Sequence, residues 1–121
     1  VRTLRANGVI WYAPDQAYRH KGAELVPFFG IPVATNTATS RLARSTGAAV
    51  LPYFVERLPA AAGYRVRIGA ALEDFPSDDP VADALRYHSL IEAEVRRIPA
   101  QYLWVHRRLK GLGPDAPDHY A

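Results

Sequence analysis

The stretch Val9 to Gly30, VIWYAPDQAYRHKGAELVPFFG, organises the reading of this chain. It opens on an apolar run, Val9-Ile10-Trp11-Tyr12-Ala13, whose β-branched and aromatic residues predict a buried strand. Pro14 ends that run, because proline has no N–H for a sheet ladder. A carboxylate and an amide, Asp15 and Gln16, follow at once. Ligands of α/β sheets gather beyond the carboxyl ends of strands. A polar pair there, followed by Phe28, Phe29 and Gly30, is therefore a candidate site rim. The plain structural reading stands beside it: Pro-Asp is a common turn, and paired phenylalanines usually pack in a core.

Composition narrows the class. The chain has 121 residues, 49% hydrophobic and 22% charged, which suits one folded domain. No apolar run reaches the roughly eighteen residues of a membrane span, and the basic N-terminus VRTLRANG does not resemble a signal peptide. The first residue is valine, so the chain reads as a fragment or a processed product. The absence of cysteine excludes disulfides and thiolate metal sites. A net charge of +3, carried mostly by arginine, fits either an anionic partner or an ordinary solvated surface.

Working outward, residues 14–32 read as a long connection with a basic cluster at Arg19, His20 and Lys21. Val33-Ala34-Thr35 leads into a helix of about ten residues, capped by Asn36 or Thr37 and stopped at Gly47, with Arg41 and Arg44 on one side. Ala48 to Phe54 forms a second apolar run that Pro52 interrupts. Tyr64-Arg65-Val66-Arg67-Ile68 alternates as a half-buried strand does, antiparallel to its predecessor. Asp78-Asp79-Pro80 starts a helix that runs to about Ile98, where Pro99 ends it. Its stripe of Ala84, His88, Ile91, Val95 and Ile98 places His88 as a packed residue, with Glu92, Glu94, Arg96 and Arg97 on the solvated face. Aromatic residues then precede Arg107, Arg108 and Lys110, and residues 111–121 read as an extended tail.

No nucleophile elbow, P-loop, dinucleotide fingerprint or zinc-binding histidine pair is present. The four histidines are scattered, so no metal and no cofactor is expected. Nucleic acid is not an expected partner, because the basic charge is small and no RNA-binding sheet signature occurs. From the residues alone, two classes survive: part of an enzyme acting on a phosphorylated or membrane-borne substrate, and a non-catalytic module docking on anionic surfaces.

The segments IWYAPDQ, VPFFGIP, T-x-x-x-R-L-A-R-x-T-G-A-A-V and P-x-Q-Y-L-W-V-H-R-R-L-K, in this order, resemble the lipid A biosynthesis acyltransferases, the lauroyl/myristoyl transferases of Gram-negative bacteria. The likeness runs from residue 9 to the tail, and it departs at Leu109, where the family usually has an aromatic residue. It implies an α/β fold like that of the glycerolipid acyltransferases, a mixed sheet flanked by helices, present here as a partial domain over residues 1–110. It also implies transfer of an acyl chain from acyl carrier protein to the Kdo-bearing lipid A precursor, at the cytoplasmic face of the inner membrane. The family's chemistry rests on H-x-x-x-x-D/E. Five residues after His20, His88 and His106 stand Leu25, Ala93 and Gly111, so that motif is absent. The resemblance thus implies a C-terminal portion, inactive alone, with no catalytic residue of its own. Asp15, Gln16, Phe28, Phe29 and Gly30 would line the acceptor site, and Val50-Leu51-Pro52 would be a strand beside it. Arg107, Arg108 and Lys110 would meet phosphates of lipid A or of the membrane, with Trp104 at the interface, or serve a structural role. An acyltransferase for another glycolipid, or a module binding anionic membrane, are the alternatives.

Overall fold

The computed structural model describes residues 1–109, 117, 119 and 120. Lys110 and most of the tail therefore lie outside the described residues. After a short N-terminal helix, α1 (Arg2–Arg5), the elements run β1 (Glu24–Phe28), β2 (Ile31–Thr35), α2 (Ala38–Thr46), β3 (Tyr53–Arg57), β4 (Tyr64–Ile68) and α3 (Pro80–Arg97). Single 3₁₀ turns occur at Pro59–Ala61, Pro99–Gln101 and Trp104–His106.

α3 is the central element. Asp79 caps it by accepting from the N–H groups of Val81 and Ala82, with Pro80 at its first position. Its Ala84 and Tyr87 pack on Val26 of β1, with Val81 and Ile91 alongside. Val26, Ala84 and Tyr87 leave water completely or nearly so, Val81 and Ile91 in part, and such burial supplies most of the drive to fold. α2 ends as its sequence predicts, at Gly47 with φ 69°, whose N–H closes on Ala43 O at 2.8 Å.

Two antiparallel hairpins flank α3. The expected single mixed sheet is replaced, among the described residues, by two separate two-stranded sheets. In the first, Pro27 faces Pro32, one step from the closing pair Phe28 and Ile31. Alternation of an antiparallel ladder makes the Pro27–Pro32 step the one that exchanges no backbone bonds, so neither proline leaves a ladder partner unserved. That alternation turns the carbonyls of Pro27 and Ala34 outward, and both acquire partners described below.

The second hairpin pairs Tyr53 with Ile68 and Val55 with Val66. Backbone pairing continues past it, through Gly69 N to Pro52 O and Leu72 N to Val50 O, both at 2.9 Å. One face meets α3 through charges: Arg97 bonds Glu56 and Glu94, and Arg67 bonds Glu94. The two guanidinium groups hold the Glu94 carboxyl down at about 2, against the desolvation that opposes them. The other face corrects the half-buried expectation for Tyr64–Ile68. Tyr53, Val55, Tyr64, Val66 and Ile68 are all exposed.

The expected strand over Val9–Ala13 is likewise not formed. The segment carries no regular structure, with Val9 92% and Trp11 71% exposed. Apolar, β-branched composition makes a strand only where a neighbouring strand accepts its N–H groups, and among the described residues no strand pairs with it.

Candidate functional site

Asp15 lies in a turn just past the extended 9–13 segment. It is half-buried and lines a groove of about 270 Å³, whose wall includes Trp11, Tyr12, Phe54, Ile91 and Tyr102. Gln16, its neighbour, is exposed. The Tyr102 hydroxyl is buried with no hydrogen-bond partner among the described residues. Burial first, then the Asp15 carboxylate, push that phenol up to about 12. It therefore stays a neutral O–H donor next to a carboxylate.

The Asp15 loop is held from the far end of the chain. Ala17 N donates to His106 Nε2 at 2.9 Å, and Tyr18 N donates to Ala34 O at 3.2 Å. The His106 Nε2 presents its lone pair to the Ala17 N–H.

Arg107 and Arg108 part company. Arg107 is exposed, its guanidinium 5.7 Å from the centre of the Tyr120 ring. Arg108 is 1% exposed and forks into the first hairpin, donating to Ala34 O at 2.5 Å and to Thr35 Oγ1 at 2.9 Å. Its NH2 also lies 3.2 Å from His88 Nε2. His88 Nδ1 is 2.8 Å from the outward carbonyl of Pro27, which can only accept, so Nδ1 carries the proton and Nε2 accepts from Arg108. Burial depresses the His88 imidazole below its usual range, and Arg108 adds to that, while the Pro27 carbonyl opposes it. Arg108 Nε has no hydrogen-bond partner among the described residues. Of the two arginines expected to meet phosphates or to serve a structural role, Arg107 is a surface residue and Arg108 an internal cation binding the C-terminal segment to β2 and α3.

The Phe28-Phe29-Gly30 block closes the first hairpin as a two-residue turn with φ 51° at Phe29 and 77° at Gly30. Such a turn favours Asn or Gly at its first position, and a phenylalanine there costs about 1–2 kcal/mol. The Phe29 N–H donates to Glu92 Oε1 at 2.7 Å, and Glu92 Oε2 accepts from Arg96 at 3.1 Å. The Arg96 guanidinium also stacks 4.7 Å from the Phe29 ring centre. Phe28 points inward, 5.3 Å from His88 and 6.1 Å from Tyr102 between ring centres. Phe28 is thus brought towards the Asp15 groove through Tyr102, whereas Phe29 lies against the Glu92 flank of α3 and Gly30 is exposed.

Glu92, Tyr102 and His106 are the residues that sequence reasoning did not single out. Glu92 was assigned to a solvated face, although its spacing from Arg96 is that of a helical ion pair. Among the described residues no group of three or more His, Asp or Glu gathers as metal ligands do.

Residues 1–111 match the family described as bacterial lipid A biosynthesis acyltransferase. Over 111 residues, 91% of the chain, it is 41% identical to the lipid A biosynthesis palmitoleoyltransferase of Escherichia coli K12, covering 36% of that protein. It is 33% identical to the lauroyltransferase of the same organism over 99% of the chain and 40% of that protein. For the myristoyltransferase the identity is 29%, over 99% of the chain and 37% of that protein. The chain thus spans a little over a third of the length of these relatives. With a family match from Val1 to Gly111 that takes in the Asp15 turn, the Phe28-Phe29-Gly30 hairpin and the Arg107-Arg108 segment, the chain belongs to the bacterial lipid A biosynthesis acyltransferases.

Proposed function

We propose that this chain is the acceptor-recognising part of an enzyme that moves a fatty acyl chain, lauroyl or myristoyl in class, from acyl carrier protein to the Kdo-bearing lipid A precursor. The family match over residues 1–111 carries the reading. In the reaction a hydroxyl oxygen of the acceptor attacks the thioester carbonyl. A C–O ester bond forms, the C–S bond breaks, and the carrier thiol leaves with the proton. The base that takes the hydroxyl proton is the imidazole of an H-x-x-x-x-D/E motif, which this chain does not contain. By itself, therefore, the chain does not turn over. Its share is binding. Asp15 and Gln16 meet the acceptor at the groove, Phe28, Phe29 and Gly30 shape its hairpin wall, and Arg107 meets phosphate. Arg108 supports the site from within. The fold is read as part of a glycerolipid-acyltransferase-like domain working on the cytoplasmic face of the inner membrane. No helix among the described residues is long and apolar enough to cross a membrane.

The test uses the full-length polypeptide, a carrier-protein thioester and Kdo-bearing precursor, with product read by mass spectrometry. Asp15→Ala is expected to lower transfer well beyond any loss of folded protein. Equal losses assign Asp15 a structural role, and no transfer by the wild type overturns the reading. One observation favours a second reading, a module that binds anionic membrane: Trp104, Val105 and Arg107 are exposed together. Binding of this chain to anionic vesicles that weakens with salt supports that reading, and binding indifferent to lipid charge removes it.

A further inference from the structure

We propose that Glu92, backed by Arg96, is a positioning residue for acyl transfer. It locks the Phe29–Gly30 turn and thereby sets where Phe28 stands against Tyr102 at the wall of the Asp15 groove. The inference rests on the acyltransferase reading above.

Three observations carry it. Phe29 is held at φ 51°, a conformation that a bulky side chain rarely adopts and that folds retain where surroundings over-determine it. In a two-residue hairpin the N–H of the first turn residue has no ladder partner, and here it receives a carboxylate at 2.7 Å, a charge-assisted bond. That carboxylate is in turn fixed by Arg96 at 3.1 Å, and the same guanidinium covers the Phe29 ring at 4.7 Å. One helical turn of α3 therefore grips both the backbone and the ring of the strained residue. The next residue back, Phe28, is 1% exposed and packs on Phe29, His88 and Tyr102. Interiors at native density pass small shifts on, so releasing the turn moves Phe28 and, through it, the Tyr102 wall.

The experiment uses the full-length polypeptide with Glu92→Ala, which removes the acceptor, and Glu92→Gln, which keeps an acceptor oxygen. Hydrogen exchange of the peptide spanning residues 26–31 reads the turn. The rate of transfer per folded molecule, resolved into kcat and the KM for the acceptor, reads its consequence. Glu92→Ala is expected to speed exchange at the turn and to lower kcat roughly ten- to a hundredfold, while altering the acceptor KM. Glu92→Gln is expected to restore most of both. In a Phe29→Gly background, where glycine takes the turn freely, the effect of Glu92→Ala should shrink. Unchanged exchange, or transfer that falls only with the folded fraction, overturns the proposal. If Glu92→Ala does not fold, Arg96→Leu reads the same two quantities with the same expected signs. A wild type that transfers nothing defeats the acyltransferase reading instead, and the exchange data still decide whether Glu92 holds the turn.

Discussion

His106 and Ala17, 89 positions apart in the chain, are joined by a single hydrogen bond of 2.9 Å from the Ala17 N–H to the imidazole Nε2. The bond ties the segment after α3 to the loop that presents Asp15. A motif near the C-terminal end and a motif near the N-terminal end are therefore mechanically linked, with the Tyr18 N–H to Ala34 O bond as the loop's second anchor.

Removing that acceptor tests the link. His106→Ala leaves a partly buried N–H without its partner, which costs about 1–3 kcal/mol. The expected result is a lower urea midpoint at unchanged slope, together with faster exchange of the Ala17 amide. An unaltered amide would place the support of this loop elsewhere.

Arg108 invites a second substitution. Arg108→Lys keeps the charge but cannot serve Ala34 O, Thr35 Oγ1 and His88 Nε2 together, because an ammonium lacks the planar fork. A loss of about 2–3 kcal/mol is expected, on the scale of hydrogen bonds involving a charged group. Arg107→Lys, at an exposed position, should change stability by less than about 0.5 kcal/mol. Denaturant titration of the two variants separates an internal fork from a surface charge.

Stability should fall on the acid side for two reasons of the same sign. The His88 imidazole is depressed by burial below the 6.5 of an unperturbed histidine. Between that value and the folded one, the unfolded chain binds the extra proton, so its contribution is complete above 6.5 and is lost as pH falls below it. Glu94, lowered from 4.5 to about 2 by Arg97 and Arg67, contributes in full above 4.5 and loses its share as pH drops towards 2. Urea midpoints from pH 8 downward should therefore decline in two stages; His88→Asn should remove the upper stage, and Glu94→Gln should shrink the lower, to which Glu56, also held down by Arg97, contributes.

The apolar face of the second hairpin makes a further prediction. Val55 and Val66 are 45% and 51% exposed, so Val66→Thr should alter the stability of this chain by no more than about 0.5 kcal/mol. Binding of a hydrophobic dye should fall in the same variant, since the face is where such a dye has apolar surface to cover. A large destabilisation would mean that the face is covered in solution.

Much of this arrangement was legible in the residues. α3 announced itself through Asp79-Pro80, its apolar stripe and Pro99, and α2 through Gly47, because caps and periodicity are local signals. β4 was legible from its strict alternation. The hairpin of β1 and β2 was not, because its two prolines and a phenylalanine at a turn position argue locally against a ladder. They are accommodated only by the register that sets Pro27 opposite Pro32 and by Glu92 reaching in from α3. The run Val9–Ala13 misled in the opposite sense, since strand composition says nothing of whether a partner strand is at hand. At the candidate site, the sequence pointed to Asp15 through a strand that does not form; the carboxylate lies instead in a turn that lines the groove. The burial of Arg108 was not, because neighbouring arginines look alike until the hairpin behind one of them is known.

Gln101 has a consequence for how this molecule behaves among its copies. Its side-chain amide accepts from Arg57 N at 2.8 Å and donates to Arg57 O at 2.9 Å. One glutamine thus imitates a rung of strand at the outer margin of β3, where bare backbone would otherwise recruit another polypeptide. At this end of the hairpin the margin of β3 therefore offers one rung fewer to a strand from another copy.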